Sequence, residues 1–394
     1  MVGERMDSAI LIEVLKSIGR FFINPLLYIA LFSAIILGYH RVKRERKYFK
    51  IRILGGWSEL KNMLLAGFIL SLMVSLSSIV IGLTVPVEFL ILISIVSMIG
   101  LLLFNYHLLS PIIVIAVAFV FVAIMYWQDW SFEIGGFEFV GHNVADGLAV
   151  TAPILAGVLL MAEGLLIRRY GAKFASPIVE TTKRGFNGIA YYSKKIWVLP
   201  VFIIIPGNAF QGILPYWPHF SLGQEQFSLV LFPFVIGFQQ LVRKKMPLYV
   251  YPELGRSIIF TGQLLLLVGF TAYFFPILGA IALALGMISR SMIGIYYKRK
   301  EDRDTYAVIR SEKGAMIAAV LPKSPAEKMG LIAGEVIQRV NGQQVFSEHE
   351  LYEALQINAA HCRLEVIDHN QELRLTQHAV HNEDHHKIGI LLVK

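Results

Sequence analysis

Three acidic residues lie in or beside the apolar segments of this chain, and they are the first side chains that could do chemistry. Glu88 and Glu163 fall inside predicted membrane spans, and Asp146 lies at the mouth of the span that contains Glu163. A carboxylate inside a bilayer is costly and usually functional, often on an ion pathway. The spans show no internal repeat and no polar path, and Glu163 has Arg168 and Arg169 nearby as ordinary surface partners. A transporter is therefore an alternative, not the main hypothesis.

The histidines exclude the usual membrane metalloprotease. Such an enzyme needs two histidines at i and i+4, because one helix face must hold zinc and the general base. No His-Glu-x-x-His occurs, since His349-Glu350 has Glu353 where the second histidine would be. The serine and aspartate motifs of other intramembrane proteases are also absent. The C-terminal histidines follow no zinc template and are predicted to be exposed loop residues: His369, His378, His381, His385 and His386. We expect no enzyme activity, metal or cofactor.

Residues 304–394 have the turn and capping residues of a small mixed α/β domain. Ser324-Pro325 predicts a short helix with serine as the N-cap, and Gly330 ends it. Asn341-Gly342 predicts a tight hairpin turn. Ser347 and Glu350 form a capping box that opens a second helix over 347–356. Apolar runs of strand length occupy 304–310, 314–321, 336–340, 362–367, 372–377 and 388–393.

Four short motifs together resemble the signature of bacterial PDZ domains: Ser324-Pro325-Ala326, Gly330-Leu331, Gly334-Glu335-Val336-Ile337 and Val340-Asn341-Gly342. The resemblance implies a groove that binds an extended peptide as an added strand. It places that groove between the strand starting at Gly314 and the helix 347–356. The implied peptide-binding residues are Lys313, Gly314, Ala315, Met316, Ala318, Leu351 and Leu355.

Two observations keep other readings of this site open. Met316, Leu351 and Leu355 are equally well explained as core residues. No Gly-Leu-Gly-Phe type of carboxylate loop precedes the strand, so an internal motif or another surface is an alternative ligand site.

The rest of the chain predicts a polytopic α-helical membrane domain. The chain is 56% hydrophobic and 16% charged, which is more apolar and less charged than a soluble domain. Eight or nine spans are predicted, with nine candidates at 21–40, 62–83, 87–104, 109–127, 146–167, 196–213, 227–242, 257–274 and 276–293. Residues 257–293 would otherwise be one tilted span, and residues 7–22 are predicted as an interfacial helix. The single cysteine, Cys362, excludes an intramolecular disulfide and fits a reducing compartment.

Basic residues mark alternate loops. Lys and Arg concentrate in 41–52, 168–195, 243–256 and 298–303, whereas 128–145 and 214–226 contain acidic and aromatic residues and no Lys or Arg. The positive-inside rule places the basic loops and the PDZ domain in the cytoplasm. Counting back through nine spans places the N-terminus outside.

The net charge of +8 is explained by this loop bias, so we predict no nucleic-acid partner. The orientation of the chain in the membrane alone explains most of the basic loops. The more specific alternative is that they contact anionic lipid or an acidic partner. Residues 168–195 are the exception, because this long loop mixes seven basic residues with several aromatic ones, which suggests an amphipathic partner-binding helix.

A multi-span base with one C-terminal PDZ domain and no catalytic motif resembles the MinJ family of Bacillus and its relatives, and the run 37–47 after the first span is similar to that family. The resemblance implies a scaffold at division septa and cell poles. It would bridge a polar coiled-coil protein (DivIVA-like) to the MinC/MinD division inhibitor, whose MinD is a membrane ATPase, and contact other division proteins.

The predicted division of the chain is a membrane domain (1–297), a basic linker (298–303) and a cytoplasmic PDZ domain (304–394). Three alternatives stay open. The protein could be a recruitment platform outside division, an accessory subunit of a membrane protease, or a transporter with a regulatory PDZ domain.

Overall fold

The computed structural model describes residues 2–134, 137–140, 147–173, 175–182, 185, 187–211, 226–301, 306–357, 361–379 and 388–393. We call residues 2–301 the base and residues 306–393 the C-terminal domain. The predictions made for Asp146, His381, His385 and His386 lie outside the described residues.

Helices form most of the base. In chain order they are α1 (Val2–Ile23), α2 (Pro25–Phe49), α3 (Ser58–Leu65), α4 (Phe68–Ile81), α5 (Val87–Leu102), α6 (Pro111–Gln128), α7 (Leu148–Tyr170), α8 (Pro247–Thr271) and α9 (Pro276–Lys300). Within the described residues, six helical segments are long and apolar enough to cross a membrane: α2, the pair α3–α4, α6, α7, α8 and α9. Helix α5 is apolar but shorter. Helices α8 and α9 are separate, so residues 257–293 are not one tilted span.

Two of the nine predicted spans are strands, so the prediction of helices at 196–213 and 227–242 is wrong. The base contains the strands β1 (Ser131–Ile134), β2 (Phe137–Val140), β3 (Ser176–Thr181), β4 (Asn187–Gln211) and β5 (Gln226–Val242). Strands β4 and β5 pair antiparallel, with Pro200 opposite Pro233. Both faces of this long hairpin are largely buried, and an apolar run buried on both faces cannot be distinguished from a buried helix by periodicity.

Strand β3 and the start of β4 also replace the amphipathic helix predicted within 168–195. Residues 176–181 pair with 187–192 as an antiparallel ladder. Tyr191 and Tyr192 of this segment therefore lie on a strand, whose side chains point alternately to two faces.

The outer edge of β4 is covered by other parts of the base. The backbone N–H of Phe202 donates to Ser75 Oγ of α4 at 3.0 Å. The carbonyl of Ile204 accepts from the backbone N–H of Val85 at 2.9 Å. Open sheet edges do not occur in the hydrocarbon region, because an unsatisfied backbone group there costs several kcal/mol. These contacts let a strand lie among membrane helices.

The outer edge of β5 is covered in the same way. Ser17 Oγ of α1 donates to the carbonyl of Leu229 at 2.7 Å. The N–H of Gly237 donates to the carbonyl of Leu109 at 3.2 Å. Tyr251 Oη of α8 donates to the carbonyl of Gln240 at 3.1 Å. The hairpin is therefore enclosed along both edges.

A buried cluster of four charges joins the hairpin to α2 and α3. Arg41 and Lys195 both contact Glu59, with Lys195 Nζ 3.3 Å from Glu59 Oε1. Arg41 Nε also lies 3.5 Å from Glu45, whose second oxygen accepts from the backbone N–H of Ile53 at 2.8 Å. All four charged side chains are nearly inaccessible. Two cations and two carboxylates balance each other, which a buried cluster requires.

Glu163 pairs with a residue that the sequence analysis missed. Its side chain is fully buried, and its Oε1 accepts from Arg290 Nε of α9 at 2.9 Å, not from Arg168 or Arg169. Ser110, at the start of α6, donates to the other oxygen at 2.5 Å. The carboxylate therefore ties three helices together and is neutralised, so it offers no free charge to an ion pathway.

Glycines allow the backbones of α7 and α8 to touch. A Cβ atom at Gly164 would lie 2.7 Å from the Gly255 carbonyl oxygen, and one at Gly255 would lie 2.6 Å from the Gly164 carbonyl oxygen. No larger side chain fits either position. A Cβ atom at Gly279 would likewise overlap the Ala149 backbone, whereas one at Gly286 would meet only side chains, of Ile112 and Leu265.

The C-terminal domain is a sheet with two helices. Its elements are β6 (Val308–Ile309), β7 (Ala315–Val320), α10 (Pro325–Lys328), β8 (Val336–Val340), β9 (Gln343–Gln344), α11 (Glu348–Gln356), β10 (His361–Ile367), β11 (Leu373–Ala379) and β12 (Ile390–Leu392). The sheet order is β11-β10-β8-β7-β12, with β9 beside β8. Ser324 caps α10, and Asn341 and Gly342 both have positive φ, as the hairpin turn requires.

Strand β6 does not join this sheet, although it was predicted as the first strand of the domain. It pairs with β4 of the base, with Ile309 opposite Gly188 and Val308 opposite Ile189. Helix α9 runs through Lys300, so it includes the first three residues of the predicted linker.

A shared hydrophobic cluster fixes the C-terminal domain to the base. It joins Ile189 and Tyr191 of β4 to Ala318 and Leu391 of the domain. A register shift in the β7–β12 ladder lies at Ala318, whose carbonyl accepts from Tyr191 Oη at 2.8 Å. Burial raises the pKa of Tyr191, so its hydroxyl stays protonated and able to donate.

Polar contacts reinforce this docking. Arg243 binds Glu180 of β3 through two hydrogen bonds of 2.6 and 3.0 Å, which raise the pKa of Arg243. Tyr306, which precedes β6, donates to the same carboxylate at 2.9 Å. The base and the domain therefore meet through a strand pairing, an apolar cluster and the hydrogen bond from Tyr306 of the domain to the Arg243–Glu180 ion pair of the base.

Candidate peptide-binding site

The strand predicted to receive a peptide has no free edge. Strand β7 pairs with β8 on one side and with β12 on the other. A peptide cannot add to it as a further strand, since both of its edges already have partners. The groove expected between β7 and the helix 347–356 is therefore not present at that strand.

The structure separates the seven predicted peptide-binding residues. Lys313 is exposed, and a Cβ atom at Gly314 would lie 2.3 Å from the Ile337 carbonyl oxygen. Met316 and Ala318 face the base in the shared cluster. The other three residues belong to the core of the domain: Ala315, Leu351 and Leu355. The reading of Leu351 and Leu355 as core residues fits this placement.

An edge is free on β12, the last strand of the sheet among the described residues. Its residues alternate in direction. The Gly389 carbonyl accepts from Leu321, and the Val393 N–H donates to Met316, so these groups point towards β7. Because neighbouring residues in an antiparallel strand face opposite edges, the backbone groups of Ile390 and Leu392 point outwards.

A cavity of about 560 Å³ lies between β12 and α11. Leu392 and Val393 line it on the strand side, and His349 and Tyr352 line it on the helix side. The remaining lining residues are Arg310, Phe346, Ser347 and Glu348. A free strand edge beside a helix with an apolar cleft is the arrangement used to bind an extended peptide.

Both apolar and charged groups border the cleft. Phe346 and the half-buried Tyr352 supply aromatic surface, and burial raises the pKa of Tyr352. Arg310 is an exposed cation on the cavity wall. Glu350 accepts from the backbone N–H of Phe346 at 2.7 Å, which lowers the pKa of this carboxyl and fixes the start of α11. The cleft can therefore take an apolar side chain, with a cation close by for an acidic group.

The sequence contains a related pattern at the other end of the domain, beside this cleft. Ile388-Gly389-Ile390 is a hydrophobic–glycine–hydrophobic run directly before β12. This hydrophobic–glycine–hydrophobic pattern is the same as that of the Leu-Gly-Phe part of a PDZ carboxylate loop, which does not precede β7. Gly389 has a φ of 85°, which favours glycine.

The PDZ domain family matches residues 316–368. The match begins in β7 and ends just after β10, so β12 lies beyond it. The chain is also 28% identical over 386 residues to the cell division topological determinant MinJ of Bacillus subtilis (strain 168), which covers 97% of this chain and 96% of that protein. This chain is related to MinJ. A probable MinJ of Lacticaseibacillus paracasei is 22% identical over 388 residues, covering 94% and 96%.

The MinJ relationship covers the base as well as the C-terminal domain, whereas the similarity to a protease is short. A probable periplasmic DegP-like serine endoprotease of Marinomonas sp. (strain MWYL1) is 40% identical over 68 residues, only 17% of this chain and 14% of that protein. No solved structure matches the chain. Among the described residues, no three His, Cys, Asp or Glu side chains are grouped as metal ligands.

Proposed function

We propose that the protein is a membrane-anchored scaffold for division-site selection. In this proposal it bridges a DivIVA-like polar protein to the MinC/MinD division inhibitor through its basic loops and PDZ domain, and it is enriched at division septa and cell poles. The observation that carries the proposal is similarity to MinJ along nearly the whole chain, combined with a strand edge in the C-terminal domain that has no partner strand among the described residues.

The orientation of the protein is part of the proposal. The basic ends of α2, α7 and α9 and the C-terminal domain would face the cytoplasm, as the loop charges indicate. A hairpin that replaces two helices leaves this orientation unchanged, because either arrangement returns the chain to the same side. We also propose that residues 304–394 act as the partner-binding domain and residues 1–297 as the anchor.

The scaffold would act by confining partners to one surface. Anchoring raises the effective concentration of the C-terminal domain near other membrane-bound proteins, so weak contacts suffice. The docking contacts of Tyr191 with Ala318 and of Tyr306 with Glu180 hold the domain in one orientation on the base. That orientation would present the β12 edge to partners in a constant direction.

Fluorescence imaging tests the proposal. The full-length protein tagged after Lys394 is compared with the same protein truncated after Arg303, each expressed in place of the native copy. We expect septal and polar enrichment of the full-length protein, and minicells or filaments when the gene is deleted or the domain is removed. If fluorescence is uniform and cell length stays normal on deletion, the division proposal is wrong.

A further inference from the structure

A second cavity lies between the base and the C-terminal domain, away from the β12 cleft. Its volume is about 540 Å³, within the usual range for small-molecule sites. The base contributes residues from the end of α7 and the start of α8, and the domain contributes the turn that contains Leu331, Ile332 and Ala333. Its lining is distinct from that of the peptide-binding cleft.

Three cations lie on one wall of this cavity. Arg168 and Arg169 are in the last turn of α7, and Lys173 follows shortly after. Arg169 and Lys173 both lie against the ring of Tyr170, at 5.6 and 5.1 Å from its centroid. Within the described residues, none of the three cations forms an ion pair. The carboxylate on the domain side is Glu327, so positive charge predominates.

Another wall is apolar and continues onto a membrane helix. Leu248 and Tyr249 line the cavity from the first turn of α8, and their exposed fractions are 60% and 51%. Both α7 and α8 are candidate membrane spans. The end of one span and the start of the next place the cavity at headgroup depth, where cations and tyrosine are favoured. Leu248 gives an apolar path from the cavity towards the acyl chains.

We propose that this cavity binds an anionic phospholipid of the adjacent leaflet. Its phosphate would lie against Arg168, Arg169 and Lys173, and the upper part of its acyl chains would lie along Leu248. A soluble acidic peptide fits less well, because one wall is the outward-facing start of a membrane helix. Since the bound lipid also contacts the C-terminal domain, it would strengthen docking of that domain. The proposal is independent of the proposed division function.

Native mass spectrometry of the purified full-length protein tests the site. The protein is exchanged into mixed micelles containing equal amounts of phosphatidylglycerol and phosphatidylcholine, and the retained lipids are counted. We expect preferential retention of phosphatidylglycerol. The double variant Arg168→Gln/Arg169→Gln should lower this retention by roughly thirtyfold, because each cation near a membrane surface contributes roughly fivefold.

Two further variants separate a built site from general charge attraction. Arg299→Gln/Lys300→Gln removes two cations from the last turn of another span, α9, and should leave retention nearly unchanged, because neither residue lines the cavity. Ala333→Phe keeps every cation but fills the cavity, and it should lose the lipid as Arg168→Gln/Arg169→Gln does. Equal losses from the two cation pairs, undiminished retention in Ala333→Phe, or no preference in the wild-type protein would each overturn the proposal.

Discussion

The hairpin of the base and strand β12 of the C-terminal domain use the same backbone groups in opposite ways. Along β4 and β5, neighbouring helices and loops cover both edges: Ser75 binds the N–H of Phe202, and Ser17 binds the carbonyl of Leu229. Along β12, one edge pairs with β7 and the other borders a cavity. The difference follows from the solvent. In lipid an unpaired backbone group costs several kcal/mol, whereas in water it can form hydrogen bonds with the solvent.

The way in which β12 is packed bears on the role of its outer edge. Both faces of β12 are buried, one in the domain core through Leu392 and one against the base through Leu391. The strand is therefore held firmly, and no strand of the described part of the chain pairs with its outer edge. An edge that is fixed and unpaired is suited to adding a partner strand, whereas the hairpin is suited to staying closed.

The largest effect is expected from opening the charge cluster that attaches the hairpin. Glu59→Leu removes one of the two carboxylates of the cluster, so two buried cations are left with one carboxylate, Glu45. This should lower the free energy of unfolding by about 3–5 kcal/mol. The double variant Glu59→Leu/Lys195→Met restores the charge balance and should recover much of the loss. Thermal unfolding in detergent measures both, and equal losses in the two variants would contradict the assignment.

The two faces of β12 can be tested separately with Cys362, the only cysteine. Burial raises the pKa of its thiol to about 12, so the folded domain alkylates slowly. Leu392→Ala should cost the domain about 2–5 kcal/mol and speed alkylation of Cys362. Leu391→Ala should leave Cys362 protected but speed hydrogen exchange in β6, which pairs with the base. If both variants expose Cys362 equally, the division of β12 between two cores is wrong.

The covered edge of β4 predicts a smaller effect. Ser75→Ala removes the acceptor of the Phe202 N–H and should cost about 1–3 kcal/mol, the penalty of a buried unsatisfied donor. Ser77→Ala is the matched control, because Ser77 donates only within its own helix, to Val74. Its cost should stay below about 0.5 kcal/mol. Similar melting temperatures for the two variants would argue against a hydrogen bond between Ser75 and the edge of β4.

The smallest effect is expected in the cleft beside β12. Tyr352→Ala removes an aromatic wall and should weaken binding of a DivIVA-like or MinD-like partner about tenfold. Gln356→Ala, on an exposed position of the same helix, is the control and should bind normally. Alkylation of Cys362 checks that Tyr352→Ala remains folded. Unchanged partner binding in a folded Tyr352→Ala variant would move the site away from this cleft.

The C-terminal domain was largely predictable because each of its turns has a local cause. Ser324 caps α10, Asn341-Gly342 makes its turn, and Ser347 caps α11 by accepting from the N–H of Glu350. The pairing of β12 was not predictable in this way. It depends on a contact between residues about seventy positions apart. The order of strands in a sheet cannot be predicted from local sequence propensity.

The base was only partly predictable from its sequence. Its apolar helices follow from length and composition, but the strands β4 and β5 do not, because both faces are buried and no alternation of polar residues marks them. The sequence contained evidence against two helices here. Three prolines, Pro200, Pro206 and Pro233, would break several backbone hydrogen bonds inside them. The Glu163–Arg290 pair did have a sequence signal, because both charges lie inside predicted spans and charges in a membrane usually pair with one another.

Residue-resolved hydrogen exchange of the full-length protein tests the contrast between the two edges most directly. The amides of Ile390 and Leu392 should exchange at least about tenfold faster than those of Leu391 and Val393, because they point to an unpaired edge. The amide of Phe202 in the base should be as slow as its neighbours. Equal protection of all four β12 amides, or rapid exchange at Phe202, would contradict the account.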